Sequence, residues 1–302
     1  MSRPGLLTGP TPVLTAAVLW GTTGTASSLA PADAPAAAIG CAGLVLGGLL
    51  MFLTSRGARA LLVRASPGER RLLALGALAV AGYPVTFYPA VARTGVAVAT
   101  VIALGSAPVF TGLLSWLTGR SRPTVRWTAA TAAAVLGCTL LVLGPELTGR
   151  ATPMDLTGVA LAACAGLSYA VCSLIGGRLI TDGHPSGAVM GTLFGAAGVL
   201  VLPLVLASGT HWLTTPRGAT VALYLALFTV ALAYHLFGHG LRHTPASLAT
   251  SLTLTEPAVA ALLGITVLGE HLPAVSWAGL AILFAGLGLL ALPSDRTAAG
   301  NG

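Results

Sequence analysis

Lysine is absent from this 302-residue chain: all fifteen basic side chains are arginine, set against eight acidic ones. Charged residues make up only 8% of the sequence, where a soluble domain carries about 25%. Because 55% of the residues are hydrophobic and the mean hydropathy is +0.88, so thin a polar coat excludes a water-soluble fold. The arginines stand in short gaps between apolar runs and form no stripe, so the net charge of +7 is a topology signal and excludes nucleic acid as a partner. No Walker A loop occurs, which excludes ATP as the direct energy source. Cys41, Cys138, Cys164 and Cys172 lie inside apolar runs with no C-x-x-C spacing, so they read as small buried hydrophobes, with no disulfide, metal or cofactor role.

What the chain has is apolar runs of bilayer length. A hydrocarbon core of about 30 Å takes roughly 20 residues of helix. Ten such spans are predicted, at 11–30, 35–54, 72–91, 95–118, 127–144, 156–177, 187–207, 219–239, 246–267 and 275–293. The first is rich in Thr and Ser; its alternative reading is a signal peptide with Arg3 as the basic region and a cleavage site near Ala30. If the spans alternate, Arg3, Arg56, Arg59, Arg64, Arg70, Arg71, Arg120, Arg122, Arg126, Arg178, Arg242 and Arg296 share one side, and only Arg93, Arg150 and Arg217 face the other. The arginine-rich side is expected to be cytoplasmic, with both termini inside a plasma membrane.

Sliding the chain on itself by 150 residues superposes Phe87 on Phe237, Thr94 on Thr244, Leu104 on Leu254, Gly119 on Gly269, Pro123 on Pro273 and Trp127 on Trp277. A repeat of that length holds five spans, and an odd number inverts the second copy. The expected fold class is therefore an all-α membrane protein of ten transmembrane helices in two inverted five-helix repeats, 11–144 and 156–293. Small residues at four-residue spacing (Gly43 and Gly47; Gly158, Ala162 and Gly166; Gly191 and Gly195) predict close helix packing in lipid.

Trp20-Gly21 in the first span, the run from Thr244 to Glu270 with its Glu256-Pro257 and Gly269-Glu270 pairs, and Trp277, Gly279 and Gly286 resemble the EamA repeats of the drug/metabolite transporter superfamily. That resemblance implies ten helices, two inverted halves and the export or uptake of small solutes. The first half departs from the pattern. Ser106 stands in register with Glu256, Pro108 is shifted by one, Arg120 replaces a glutamate, and Cys41 falls near a position that is often basic.

Most acidic residues (Asp33, Glu69, Glu146, Asp155, Asp182, Glu270 and Asp295) fall near predicted membrane surfaces. Glu256 falls eleven residues beyond a turn near residue 245, about 16 Å deep at 1.5 Å per residue. A carboxyl near the midplane is expensive and marks a functional site. His235, ten residues before that turn, has the same depth and is the expected partner in a proton-linked or substrate-contacting site. The alternative is a Glu256 that hydrogen-bonds Thr253 or Thr255 and orders the helix before Pro257. His235, His239 and His243 recur every fourth residue, readable as a metal site or as a helix running from core to interface; without H-E-x-x-H, no metal is assigned. Trp20, Tyr83, Phe87, Tyr88, Tyr169 and Tyr234, with Thr22, Thr23 and Ser168, are candidates for stacking on and orienting a substrate, or for packing. Pro84 and Pro257 are candidate kinks.

The function expected is a secondary transporter, an exporter by preference, moving a small metabolite such as an amino acid or a drug-like compound by alternating access, with proton linkage left open. Its partners are that solute and membrane lipids, as a monomer or homodimer. An intramembrane enzyme would need a nucleophile with its base, a metal motif or an Asp pair, and the sequence offers one intramembrane carboxylate. A receptor or assembly subunit would need no inverted repeat.

Overall fold

The computed structural model describes residues 10–32, 34–119, 122–147, 155–269 and 271–291, and they form helices with no strand among them. Arg3, Asp33, Arg120, Arg150, Glu270, Asp295 and Arg296, used above, lie outside the described residues.

The helices are α1 (Pro10–Gly21), α2 (Thr23–Ser28), α3 (Ala36–Thr54), α4 (Arg56–Arg64), α5 (Pro67–Val96), α6 (Val98–Leu117), α7 (Val125–Leu147), α8 (Leu156–Thr181), α9 (Ser186–Ala207), α10 (Pro216–Gly240), α11 (Ala246–Leu252), α12 (Thr255–Leu268) and α13 (Ala274–Ala291). Among the described residues eight segments are long and apolar enough to cross a membrane: α3, α5, α6, α8, α9, α10, the Val125–Leu143 part of α7, and Ala246–Val267, which joins α11 to α12. The tenth expected span is a shorter apolar helix, Ala274–Leu290, and the first is broken in two at Thr22. The broken first span is built into the bundle: Val13, Ala16 and Ala17 of α1 are fully buried.

Two elements on the arginine-rich side also depart from the sequence expectation. The arginine-rich gap after α3 holds the short helix α4, whose Ala58 and Leu61 are buried while its arginines face out. Thr192 Oγ1 on α9 donates to the Ala58 carbonyl at 3.3 Å, pinning α4 to the bundle. Helix α5 begins five residues early because Ser66 and Glu69 cap it reciprocally. Ser66 Oγ accepts the Glu69 N–H at 3.3 Å and Glu69 Oε2 accepts the Ser66 N–H at 2.7 Å, with Pro67 at the first helical position.

Gly95 (φ 82°) reverses the chain between α5 and α6 with a single non-helical residue. Both arms then pack on α8. Gly76, Gly82 and the Arg93–Thr94 turn of α5 meet Ile175, Ser168 and Gly158, while Ala103 and Ser106 of α6 meet Gly166. Gly158 and Gly166 are necessary at these crossings, since a Cβ on either would collide with Thr94 or Ser106. Helices α7 and α13 touch backbone to backbone: a Cβ at Gly286 would lie 2.7 Å from the Ala134 nitrogen. Gly119 after α6 and Gly269 after α12, which superpose in the 150-residue register, both take the left-handed conformation (φ 69° and 71°) that ends a helix.

Candidate functional site

The ninth expected span is discontinuous, and the cause is local. Pro257 has no N–H, so the Thr253 carbonyl cannot be satisfied in the α-helical manner. It accepts instead from the Glu256 N–H at 2.9 Å, and the Leu254 N–H goes to the Ser251 carbonyl at 3.2 Å. These tight turns end α11 and start α12, with Thr255, Glu256 and Pro257 as its first three residues. Pro257 therefore opens a helix here and does not kink one.

The first span breaks in a related way. Thr22 Oγ1 donates to the Leu19 carbonyl at 2.6 Å, and the Thr22 N–H reaches the same carbonyl at 3.2 Å, closing a turn between α1 and α2. The two breaks meet: a Cβ on Gly21 would lie 2.6 Å from Val259 Cβ and 2.9 Å from the Glu256 carbonyl oxygen, so only glycine admits this approach.

A third irregularity faces them. Within α10, residues Leu225–Leu232 widen into π-helical turns, a distortion frequent at functional sites. Helix α3 makes room with two glycines. A Cβ on Gly43 would fall 3.1 Å from Leu225, and one on Gly47 would fall 2.6 Å from the Ala226 carbonyl. Trp20 Nε1 donates to the Thr229 carbonyl inside this stretch at 2.8 Å, a buried bond joining α1 to α10.

Between these elements lies a cavity of about 240 Å³. Its wall includes Glu256, Trp20, Tyr83, Phe87, Tyr88, Ser168, Tyr169, Tyr234 and Thr23, all singled out from the sequence. The aromatic rings form two sets. Trp20 lies 4.7 Å from Tyr234 and 6.1 Å, edge-on, from Tyr169, while Tyr83 stacks on Phe87 at 5.4 Å. Tyr169 Oη donates to Thr253 Oγ1 at 3.5 Å, bracing the α11–α12 break. The lining runs from Glu256, Tyr169 and Tyr234 at mid-helix toward Thr23, Gly40, Tyr88 and Thr100, nearer the Arg93–Asp155 end of the bundle. On the opposite side Phe237, Met190, Leu193 and Leu241, each at most 2% exposed, fill the space between helices.

The carboxylate of Glu256 accepts no hydrogen bond and forms no ion pair among the described residues. Thr253 and Thr255, its alternative partners, donate instead to the Thr250 and Leu252 carbonyls at the end of α11. Nor is His235 its partner. The imidazole is exposed, is absent from the cavity wall, and lies against the start of α9, where a Cβ on Gly187 would be 3.7 Å from Cε1. One residue of helix is a turn of about 100°, so the Tyr234 ring that faces the cavity sends its neighbour elsewhere.

Thr22 also stays out of the lining, receiving the Tyr224 hydroxyl at 2.9 Å. His239 and His243 rings are 6.1 Å apart, and among the described residues no three His, Cys, Asp or Glu side chains are grouped to hold a metal. Of the cysteines, Cys41, Cys138 and Cys172 are buried, with Cys172 in the cavity wall, but Cys164 is exposed on α8. Phe194, 4.0 Å from Tyr234, and Thr229 complete the wall and carried no signal in the sequence beyond their apolar runs.

Comparison with known proteins adds a second line. The EamA-like transporter family model matches the chain twice, over residues 7–143 and 156–292. An uncharacterized transporter of Bacillus subtilis, YwfM, is 40% identical over 91% of this chain and 90% of its own length. The threonine/homoserine exporter RhtA of Salmonella typhimurium is 35% identical over 51% of each chain. The uncharacterized inner membrane transporter YedA of Escherichia coli is 28% identical over 60% of this chain and 58% of its own. A protein crystal structure only 19% identical in sequence shares the fold, with a TM-score of 0.76 over 93% of this chain and 96% of that one.

Proposed function

The chain belongs to the EamA-like transporter family, and from that premise we propose that the aromatic cavity is the central site of a secondary transporter working by alternating access. In this reading ten crossings are arranged as two inverted halves, 11–144 and 156–293, in the plasma membrane, with both termini cytoplasmic. The cavity then faces outward in the conformation described, and the packed Phe237, Met190, Leu193 and Leu241 layer is the closed inner side. Rocking one half against the other would open the inner side and close the outer.

One observation carries the reading: a glutamate with no partner among the described residues sits in the wall of an aromatic cavity where two broken helices touch. An intramembrane carboxylate is expensive unless it serves a ligand or a proton. Broken helices at mid-depth are the usual way transporters build such sites. The rings supply flat apolar surface, and the hydroxyls of Tyr83, Tyr88, Ser168 and Tyr169 supply orientation. That chemistry suits a small amphiphile bearing an amino group, which is also the class named for RhtA. The direction proposed is export, with Glu256 alternately holding solute and proton.

The test is flux in liposomes containing the purified protein, with threonine, homoserine and an aromatic amine as probes, with and without a pH gradient. Glu256→Gln is expected to abolish stimulation by the gradient and reduce flux at least about tenfold. A folded Glu256→Gln protein with unchanged flux and pH dependence overturns the assignment.

A further inference from the structure

A second cavity, of about 390 Å³, opens away from the first, where the ends of α6 and α8 meet the turn between α10 and α11. Its charged lining is basic, Arg178 and Arg242, with the His243 ring beside them. Arg178 has one acidic neighbour, Asp182, whose Oδ2 is 3.6 Å from Nε on the exposed rim, leaving the terminal nitrogens of the guanidinium available. The Arg242 guanidinium makes no hydrogen bond or ion pair with any described residue.

The floor supplies an independent sign. Ser115 and Thr244 line the cavity and are only 5% and 4% exposed, yet neither hydroxyl has a hydrogen-bond partner among the described residues. With no partner among the described residues, both hydroxyls are open to donate to a ligand in the space that the arginines overlook. On either side of Ser115 in the sequence, α6 is apolar and bare: Leu113, Trp116 and Leu117 are 44%, 53% and 67% exposed. A tryptophan at a helix end is at home at the level of lipid headgroups.

We propose that this cavity binds the phosphate group of an anionic phospholipid, its acyl chains lying along Leu113, Trp116 and Leu117. Guanidinium groups match phosphate oxygens two by two, the Ser115 and Thr244 hydroxyls donate from beneath, and the bare α6 face accounts for a ligand that arrives from the bilayer. Basic pockets between transmembrane helices at a membrane surface are suited to such headgroups. The site is separate from the central cavity and stands whatever solute that cavity carries.

Thermal unfolding of the purified protein in a neutral detergent tests it, with phosphatidylglycerol, phosphatidylcholine or inorganic phosphate added in turn. Phosphatidylglycerol is expected to raise the midpoint saturably and phosphatidylcholine to leave it unchanged. Arg178→Gln/Arg242→Gln should need about thirtyfold more phosphatidylglycerol for the same shift, about fivefold for each arginine. A saturable shift with inorganic phosphate that the double variant loses supports the phosphate site and assigns it to a soluble source. Should the arginine variant not fold, Ser115→Ala/Thr244→Val carries the same test, with phospholipid retained through purification counted by native mass spectrometry. No shift in the wild-type protein, or equal shifts in wild type and variants, overturns the proposal.

Discussion

Replacing Gly40 with alanine probes the wall of the central cavity directly. A Cβ at this position on α3 would collide with Tyr88 Oη and Cζ and lie 2.9 Å from Cε2, where carbon atoms pack at about 3.5–4.0 Å. The ring has little freedom to yield. Tyr88 sits edge-on to Phe87 at 5.8 Å, and Phe87 stacks on Tyr83, so moving one ring disturbs three. Overpacking of this kind costs about 1–3 kcal/mol, and in a chain of this size each kcal/mol lowers an unfolding midpoint by about 1.6 °C. Gly40→Ala should therefore melt about 2–5 °C below wild type in one detergent at one scan rate, and lose flux because Tyr88 leaves the cavity wall. Second substitutions grade the effect. Tyr88→Phe removes Oη but leaves Cζ in collision, so it should restore only part of the loss. Tyr88→Ala removes the whole obstacle, so Gly40→Ala should cost almost nothing in that background, a coupling of about 1 kcal/mol or more. Wild-type melting of Gly40→Ala, or simple addition of the Gly40→Ala and Tyr88→Ala losses, would refute the geometry.

Two further predictions separate the site from its surroundings. His235→Ala should keep flux and its pH dependence within about twofold of wild type, as surface substitutions generally do; a tenfold loss in liposomes would return this imidazole to the transport path. Asp155 caps α8 and meets Arg93 at the end of α5. The Gly158 N–H, then the Arg93 guanidinium and the Thr157 N–H, hold its carboxyl below the ordinary 3.8. A group with a lowered folded pKa stabilises the protein fully above its unfolded value and loses that contribution as pH falls through the folded one. The wild-type midpoint should therefore drop more steeply than that of Asp155→Asn as the solution is acidified below about pH 4, and parallel melting curves would count against the cap.

The helices were legible because lipid demands one thing of a sequence, an unbroken apolar run, and such runs stand out between arginines. Glu256 stood out because a carboxyl within an apolar run is rare, and it does line the cavity. Counting residues from a turn does not give azimuth, and the expected Glu256–His235 pair failed there: the imidazole lies against the start of α9, away from the cavity wall. The capping box at Ser66 and Glu69 was written plainly in the sequence and passed over, because the span was measured from its apolar residues alone. Helix α4 was masked by its arginines, which read as a loop when taken one at a time and as one face of a helix when set against Ala58 and Leu61. The π-helical stretch of α10 left no mark in its own residues. Its space comes from Gly43 and Gly47 on another helix, a relation between distant segments that no local pattern carries.

The cavity holds one carboxylate although the chain repeats itself, and the packing of the first half shows why. Ser106 occupies the place that Glu256 has in the 150-residue register. Its hydroxyl turns back to the Ala103 carbonyl at 3.3 Å, and its side chain lies against Gly166, where even a methyl group would collide with it. Helix α6 runs unbroken at this level and packs directly on α8, so a glutamate there would be forced against a helix backbone. In the second half the break before Glu256 and the bare Gly21 opposite give its backbone room to approach α1 while its carboxyl borders the cavity. The breaks fall in α1–α2 and α11–α12, while α8 and α6, their counterparts in the repeat, stay continuous. The two segments differ in packing, and that difference leaves Glu256 as the one carboxylate in the cavity wall among the described residues, the place where the proposed exchange of solute and proton would occur.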